Sequence, residues 1–189
     1  VGASVVNALS KVMEVQVRRD GKIWYARFER GAIKIPLKTA GATDEKGTLV
    51  RFWPDPEIFV ESVEFDYDTL ATRLRELSFL SPTVKITFAD ERSGKSDIFE
   101  AKGGTAEFVK YLARGTAAVH PVISLQKSKE NVEIDVALQY VDNYQETVFS
   151  FVNTINTPEG GTHLTGFKTA LTRSLNKYAE KRGLLKNGD

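Results

Sequence analysis

The chain has 189 residues, 41% of them hydrophobic and 27% charged, which are ordinary globular values and allow one large domain or two small ones. Its 26 basic and 25 acidic side chains nearly cancel to +1, so a nucleic-acid partner has to be argued from a local patch. The absence of cysteine excludes disulfides, thiolate metal sites and cysteine catalysis, and it fits a reducing cytoplasm. Apolar runs fall short of the roughly 20 residues of a membrane span, so a soluble protein with no membrane partner is expected. No basic segment precedes the apolar run of residues 1–10, so no leader is read there. The only methionine is Met13, and the chain closes on a polar Lys186-Asn187-Gly188-Asp189. Both ends are expected to be cut points inside a longer protein.

In chain order, residues 4–10 predict a short helix. Met13, Val15 and Val17 then alternate with Glu14, Gln16 and Arg18, the period of a strand. Asp20-Gly21 supplies the positive φ angles of a tight hairpin, and residues 23–28 make the return strand. Gly31 ends it. Residues 33–37 predict a short strand broken by Pro36, and residues 39–47 a loop. Thr48 to Trp53 form a strand stopped by Pro54 and Pro56. Asp68 is the expected N-cap of a helix carrying Leu70, Leu74 and Leu77, which Ser81-Pro82 terminates. Residues 84–88 and 96–100 pair as a second hairpin.

Gly103-Gly104 is the expected domain boundary. A helix ended by Gly115 follows, then strands near 119–126, 131–140 and 145–153. Pro158 to Gly161 turn into a long helix from about Thr162 to Arg182. Its apolar stripe is Leu164, Phe167, Leu171, Leu175 and Tyr178, and Gly183 stands where a C-cap belongs. The class is α+β with largely antiparallel sheets.

Few segments can carry chemistry. Val1-Gly2-Ala3-Ser4 open a helix, where backbone N–H groups can meet an anion; tight packing is the bland reading. The turn-rich residues 153–163 read either as a binding loop or as a plain strand-to-helix connection. The long helix carries Lys168, Arg173, Lys177, Lys181 and Arg182, with Glu180 its only acid opposite the apolar stripe. That face could meet a phosphate backbone or simply be solvated. His120 reads as structural and His163 as a helix-start residue, with no partner at triad or metal-ligand spacing. No paired-carboxylate site and no Walker or GxGxxG motif are found.

Four stretches together resemble one family. VGASVVNALS is similar to the end of the glycine-rich ATP-lid motif of type II DNA topoisomerase B subunits, G-x-H-G-V-G-x-S-V-V-N-A-L-S. KGTLVRFWPD resembles the family's G-T-x-V-x-F-x-P-D strand. NTINTPEGGTHLTGFKTALTR resembles its T-x-E-G-G-T-H-x-x-G-F segment, and RLRELSFLSP matches a stretch between them. RLRELSFL and VNTINTPEGGTHLTGF resemble the gyrase branch more than the topoisomerase IV branch.

The resemblance implies the C-terminal part of a GHKL ATPase α/β sandwich over 1–102. A partial transducer domain with a left-handed βαβ crossover, against the usual right-handed rule, follows over 103–189. It implies ATP and Mg2+ as cofactors, with ATP contacts from Val1, Gly2, Ala3, Ser4, Thr48 and Arg19. It implies that Lys168, Arg173 and Lys177 face duplex DNA. The implied partners are a second B subunit, closing an ATP-dependent gate, and the gyrase A subunit. The implied place is the cytoplasm of a bacterium or archaeon, or an organelle.

The parent activity so implied is ATP-driven strand passage with negative supercoiling. Topoisomerase IV decatenation is the alternative, and a non-enzymatic DNA-binding module is another for the chain in isolation. The family's general base, magnesium-binding asparagine and adenine-reading aspartate precede Val1 in the resemblance, and its Q-T-K lysine follows the last residue. No catalytic residue and no metal ligand is therefore expected here, and the chain alone is expected neither to hydrolyse ATP nor to bind it well.

Overall fold

The computed structural model describes residues 2–184. Contacts divide the chain into two compact units, residues 1–66 and 67–189. The boundary expected at Gly103-Gly104 lies inside the second unit, where Phe79, Ala101 and Phe108 pack as one buried cluster.

The first unit starts with α1 (Gly2–Ala8) and continues as β1 (Ser10–Arg19), β2 (Lys22–Glu29), β3 (Ala32–Ala42) and β4 (Gly47–Pro54). The strands form one antiparallel sheet in the order β3-β2-β1-β4. Opposed residues share a face, so Met13, Val15 and Val17 stand with Phe28, Ala26 and Trp24 of β2 and with Phe52, Val50 and Thr48 of β4. Met13 and Ala26 are buried on this apolar face. The opposite face is mixed: Val12, Ile23, Leu49 and Trp53 share it with a polar cluster in which Tyr25 Oη donates to Glu14 at 3.0 Å, and Arg27 reaches Glu14 at 3.8 Å and Glu29 at 3.3 Å.

Tight turns set the register. Asp20 and Gly21 have φ of 55° and 74°, and Arg30 and Gly31 have 50° and 81°. Both pairs show the sign pattern of a type I′ turn, whose twist matches that of the flanking strands. Gly31 therefore does not merely end β2 but turns it directly into β3. The chain keeps pairing through Ala42, so the loop expected over 39–47 shrinks to 43–46. Pro36 does not break the strand because β3 is an edge: it and Leu37 stand opposite one β2 residue in a bulge between the Tyr25–Lys38 and Arg27–Ile35 pairs.

The second unit contains α2 (Tyr67–Leu80), β5 (Ile86–Asp90), β6 (Lys95–Phe99), α3 (Gly104–Leu112), β7 (Ile123–Lys129), β8 (Val132–Leu138), β9 (Phe151–Val152), β10 (Ile155–Asn156) and α4 (Thr162–Lys181). α2 begins one residue before Asp68, which lies in its first turn and not at the N-cap. Its buried side chains are Ala71, Ser78 and Phe79, while Leu77 is exposed. Phe79 stacks on Phe108 of α3 at 5.1 Å, and Phe149 and Phe151 lie 5.4 and 6.3 Å from the same ring. Burial of Phe79 and of Phe108 contributes about 1.5–3 kcal/mol each, and their offset pairing about 0.5–1.5 kcal/mol more.

Of the strand expected at 145–153, only Phe151 and Val152 are strand. They hairpin onto β10 across Asn153 and Thr154, both at positive φ. Every strand pair among the described residues is antiparallel. α4 ends in a Schellman cap: Gly183, at φ 62°, donates to Glu180 O at 3.1 Å, and Leu184 donates to Ala179 O at 2.9 Å. Its stripe is covered only at the start. Leu164, Phe167 and Leu171 are half-buried, but Leu175 and Tyr178 are 50% and 54% exposed.

Candidate functional site

Two of the expected nucleotide contacts converge. Thr48 pairs with Val17, and Arg19 lies two residues further along β1. Strand alternation puts Val17 and Arg19 on one face, and direct opposition puts Thr48 there too. A hydroxyl and a guanidinium thus stand at the end of an apolar strip that includes Val15 and Val50. Both polar side chains are exposed, and the neighbour of Arg19 is Asp20 at 3.5 Å.

Gly2, Ala3 and Ser4 form the exposed first turn of α1, and a Cβ at Gly2 would meet nothing within 4 Å. The backbone there is open to close approach. Val1 lies outside the described residues.

The other end of α1 is tied down by polar groups that sequence reasoning missed. Ser10 and Asp55 are 1% and 2% exposed. Ser10 Oγ donates to Val6 O at 2.6 Å, and Leu9 N–H donates to Val5 O at 3.0 Å. The next two carbonyls, of Leu9 and Ser10, accept the N–H groups of Asp55 and Arg30 at 3.0 and 3.1 Å. Arg30 Nε and Nη2 grip the Asp55 carboxylate at 2.7 and 3.4 Å, and Nη2 also bonds Glu57. The Glu57 N–H, 3.1 Å away, and then the Arg30 guanidinium hold Asp55 below its usual range against the opposing effect of burial. Arginine at the first position of a type I′ turn, where asparagine or aspartate is usual, was the available signal.

The basic face of α4 is partly neutralised. Lys168 Nζ pairs with Glu146 Oε1 at 2.6 Å, from a segment distant in sequence that the helical pattern cannot reveal. Arg173 and Lys177 are exposed, one helical turn apart. Arg173 closes an open depression floored by Thr162, Thr165, Gly166, Thr169 and Ala170.

Both histidines are engaged. Tyr140 N–H donates to His120 Nε2 at 3.0 Å, so Nδ1 carries the proton donated to Pro121 O. His163 Nε2 lies 3.2 Å from Thr157 Oγ1, which donates to Ser150 O. The EGGTH turn is thereby clasped to the strands before it. Among the described residues no group of three or more His, Cys, Asp or Glu side chains could hold a metal ion. No helix among them is long and apolar enough to cross a membrane.

The family model described as DNA gyrase B matches residues 104–189. The DNA gyrase B subunit of Clostridium acetobutylicum is 51% identical over 191 residues, covering all of this chain and 30% of the relative. Its counterpart from Thermotoga maritima is 49% identical over 197 residues, covering all of this chain and 31% of the relative. The chain thus spans about a third of the length of these relatives. Among solved structures, the 43K ATPase domain of Thermus thermophilus gyrase B, in complex with an aminocoumarin, superimposes with a TM-score of 0.83 at 40% identity. That match covers the whole of this chain and 52% of the other. The B subunit of Myxococcus xanthus DNA gyrase matches with a TM-score of 0.80 at 29% identity, over 92% of this chain and 52% of the other.

Proposed function

We propose, from the premise that this chain belongs to the DNA gyrase B family, that it is the part of a type II topoisomerase that grips one edge of ATP and relays nucleotide binding to DNA strand passage. The mixed α/β fold of the gyrase B ATPase domain is common to the chain and its structural relatives. The observation that carries the reading is the shared face of Arg19 and Thr48 at the end of the apolar strip, in a chain that matches an ATPase-domain structure over its whole length.

The strip offers an apolar surface to a base, with a hydroxyl and a guanidinium at its end. Val1 to Ser4 contribute backbone N–H groups to the phosphates. In this reading residues 1–102 belong to the ATP-binding domain and residues 103–189 to the transducer, with its left-handed βαβ crossover. The family model's start at residue 104 supports that division. Lys168, Arg173 and Lys177 face a DNA segment; a second B subunit and gyrase A complete the machine in the cytoplasm.

The chemistry within these residues is binding and orientation. Hydrolysis of ATP needs a base to orient water and a magnesium ion to spread phosphate charge. Among the described residues no group of three or more His, Cys, Asp or Glu side chains offers a magnesium site. The chain on its own is accordingly expected to show no turnover and only weak ATP binding.

The test is an exchange. This chain replaces its 49%-identical counterpart in the Thermotoga maritima protein, and the hybrid, with its gyrase A partner, is assayed for ATP-dependent supercoiling. Activity is expected, with Thr48→Ala and Arg19→Ala each raising KM for ATP about tenfold at little change in kcat. Decatenation without supercoiling favours the topoisomerase IV reading, and unchanged KM in both variants removes the ATP contacts. Exposed Arg173 and Lys177 also support direct DNA binding by the chain alone. Salt-dependent duplex binding that survives Arg173→Glu and Lys177→Glu overturns that role.

A further inference from the structure

β4 hydrogen-bonds to β1 on one side, and among the described residues no strand pairs with its other side. Its outer row of backbone N–H and C=O groups is open to a further strand. Leu49, Val50, Phe52 and Trp53 along it are exposed. Pro54 has no N–H to give, so the usable run is residues 47–53, with Val50 at its midpoint.

That run complements its own reverse. In an antiparallel ladder centred on Val50, Val50 stands opposite Val50 of a second copy. Leu49 then stands opposite Arg51, Thr48 opposite Phe52, and Gly47 opposite Trp53. Each bulky side chain meets a smaller or compatible one. The Trp53 ring covers a glycine, Phe52 lies against a β-branched threonine, and the Arg51 stem lies along leucine. Opposed residues share a face, so the apolar strip that holds Val15 and Val50 continues unbroken into the second copy.

Other registers fit less well. A centre at Arg51 sets two guanidinium groups face to face, and centres nearer either end shorten the ladder. A slip of one residue turns the apolar face of one copy against the mixed face of the other. With Val50 at the centre the two arginines are only diagonal neighbours, and each has Glu14 as its registered partner on β1.

We propose that β4 is a self-complementary docking edge whose occupant is β4 of a second copy of this chain, joined antiparallel about a two-fold axis at Val50. The pair forms one sheet of order β3-β2-β1-β4-β4-β1-β2-β3. Both copies use the same edge, so the assembly closes at two. A ladder of this length buries on the order of 1,000 Å² in all, the low end of specific interfaces, which corresponds to a Kd of about 10 μM. The pairing needs no nucleotide and no DNA.

The chain has no cysteine, so Val50→Cys supplies a single thiol on the axis. Opposed residues of an antiparallel pair have Cα atoms about 4.5–5.5 Å apart, within the reach of a disulfide. With oxidised glutathione at about 50 μM protein, Val50→Cys is expected to link into a dimer, and Lys38→Cys on β3 to stay unlinked. Sedimentation of the unaltered chain is expected to show a monomer–dimer equilibrium. Val50→Lys and Val50→Glu are each expected to weaken it tenfold or more, with unchanged circular dichroism, by placing like charges on the axis. Mixing these two variants is expected to restore the dimer, which a folding defect cannot do.

An unaltered chain that stays monomeric up to about 200 μM overturns the proposal and leaves the edge to a segment of a longer protein. A dimer that tolerates both charged variants, or that links as well through Lys38→Cys, lies on another surface and overturns it too. So does a mixture of folded Val50→Lys and Val50→Glu chains that remains monomeric.

Discussion

Among the described residues of the first unit the most deeply buried side chains are Ser10 and Asp55, and the buried apolar ones are Met13 and Ala26. In the second, Phe79, Phe99, Ala101 and Phe108 are buried and aromatic rings stack through the cluster. The first unit is thus held by a hydrogen-bonded ladder and a charged pair, the second by aromatic area. Directional bonds fix geometry at modest net stability, whereas apolar area stabilises without fixing direction.

Both tryptophans, Trp24 and Trp53, lie in the first unit, and α2, α3 and α4 lie in the second. Tryptophan fluorescence therefore reports the first unit, and the helical part of the far-UV circular dichroism reports mainly the second. The largest effect is expected from Phe108→Ala, about 3–5 kcal/mol by cavity formation, seen as an early dichroism transition with an unmoved fluorescence midpoint. A matching fall in fluorescence breaks the comparison.

Asp55→Ala does the reverse, lowering the fluorescence midpoint by about 10 °C and sparing the helices.

pH sharpens the contrast. Desolvation first, and then the bond from its hydroxyl to Asp97, push Tyr67 up to about 12. Its folded form prefers the proton, so this contribution is complete below the ordinary value of 10.0 and is lost as pH rises through about 12. Tyr67→Phe is expected to flatten the alkaline loss of the dichroism signal.

Asp90 behaves oppositely. Its bonds from Arg92 hold it down to about 2, so its contribution is present above 3.8 and disappears as pH falls through about 2. The smallest effect is expected from Gly183→Ala, about 1 kcal/mol or less. It frays the end of α4 at a residue with positive φ without moving the aromatic cluster's transition.

Much of this fold was legible where one local signal suffices. Asp20-Gly21 announced its hairpin, the alternation of Met13 to Arg18 its two faces, and the spacing from Leu164 to Leu171 its helix. Turns built from Arg30-Gly31, Glu130-Asn131 and Asn153-Thr154 have the same positive φ values but weaker residue signatures, so three hairpins of the same kind passed unread. β3 ran longer than expected because edge pairing tolerates a bulge at Pro36, which no single-strand pattern discloses.

The site follows the same rule. Thr48 and Arg19 were named through family resemblance, and register alone then placed them on one face. Lys168 was read as a free cation because its partner Glu146 lies outside the helix. Asp55 was invisible because burial of an acid depends on an arginine 25 residues earlier.

The two margins of the first sheet differ in a way that bears on how it assembles. β3 carries Lys34, Pro36, Lys38 and register irregularities, all of which discourage a further strand. β4 is regular, carries one charge, Arg51, and leaves Leu49, Val50, Phe52 and Trp53 between 38% and 49% exposed. The sheet therefore has a stopped end and a receptive one. An added strand would meet less obstruction along β4 than along β3.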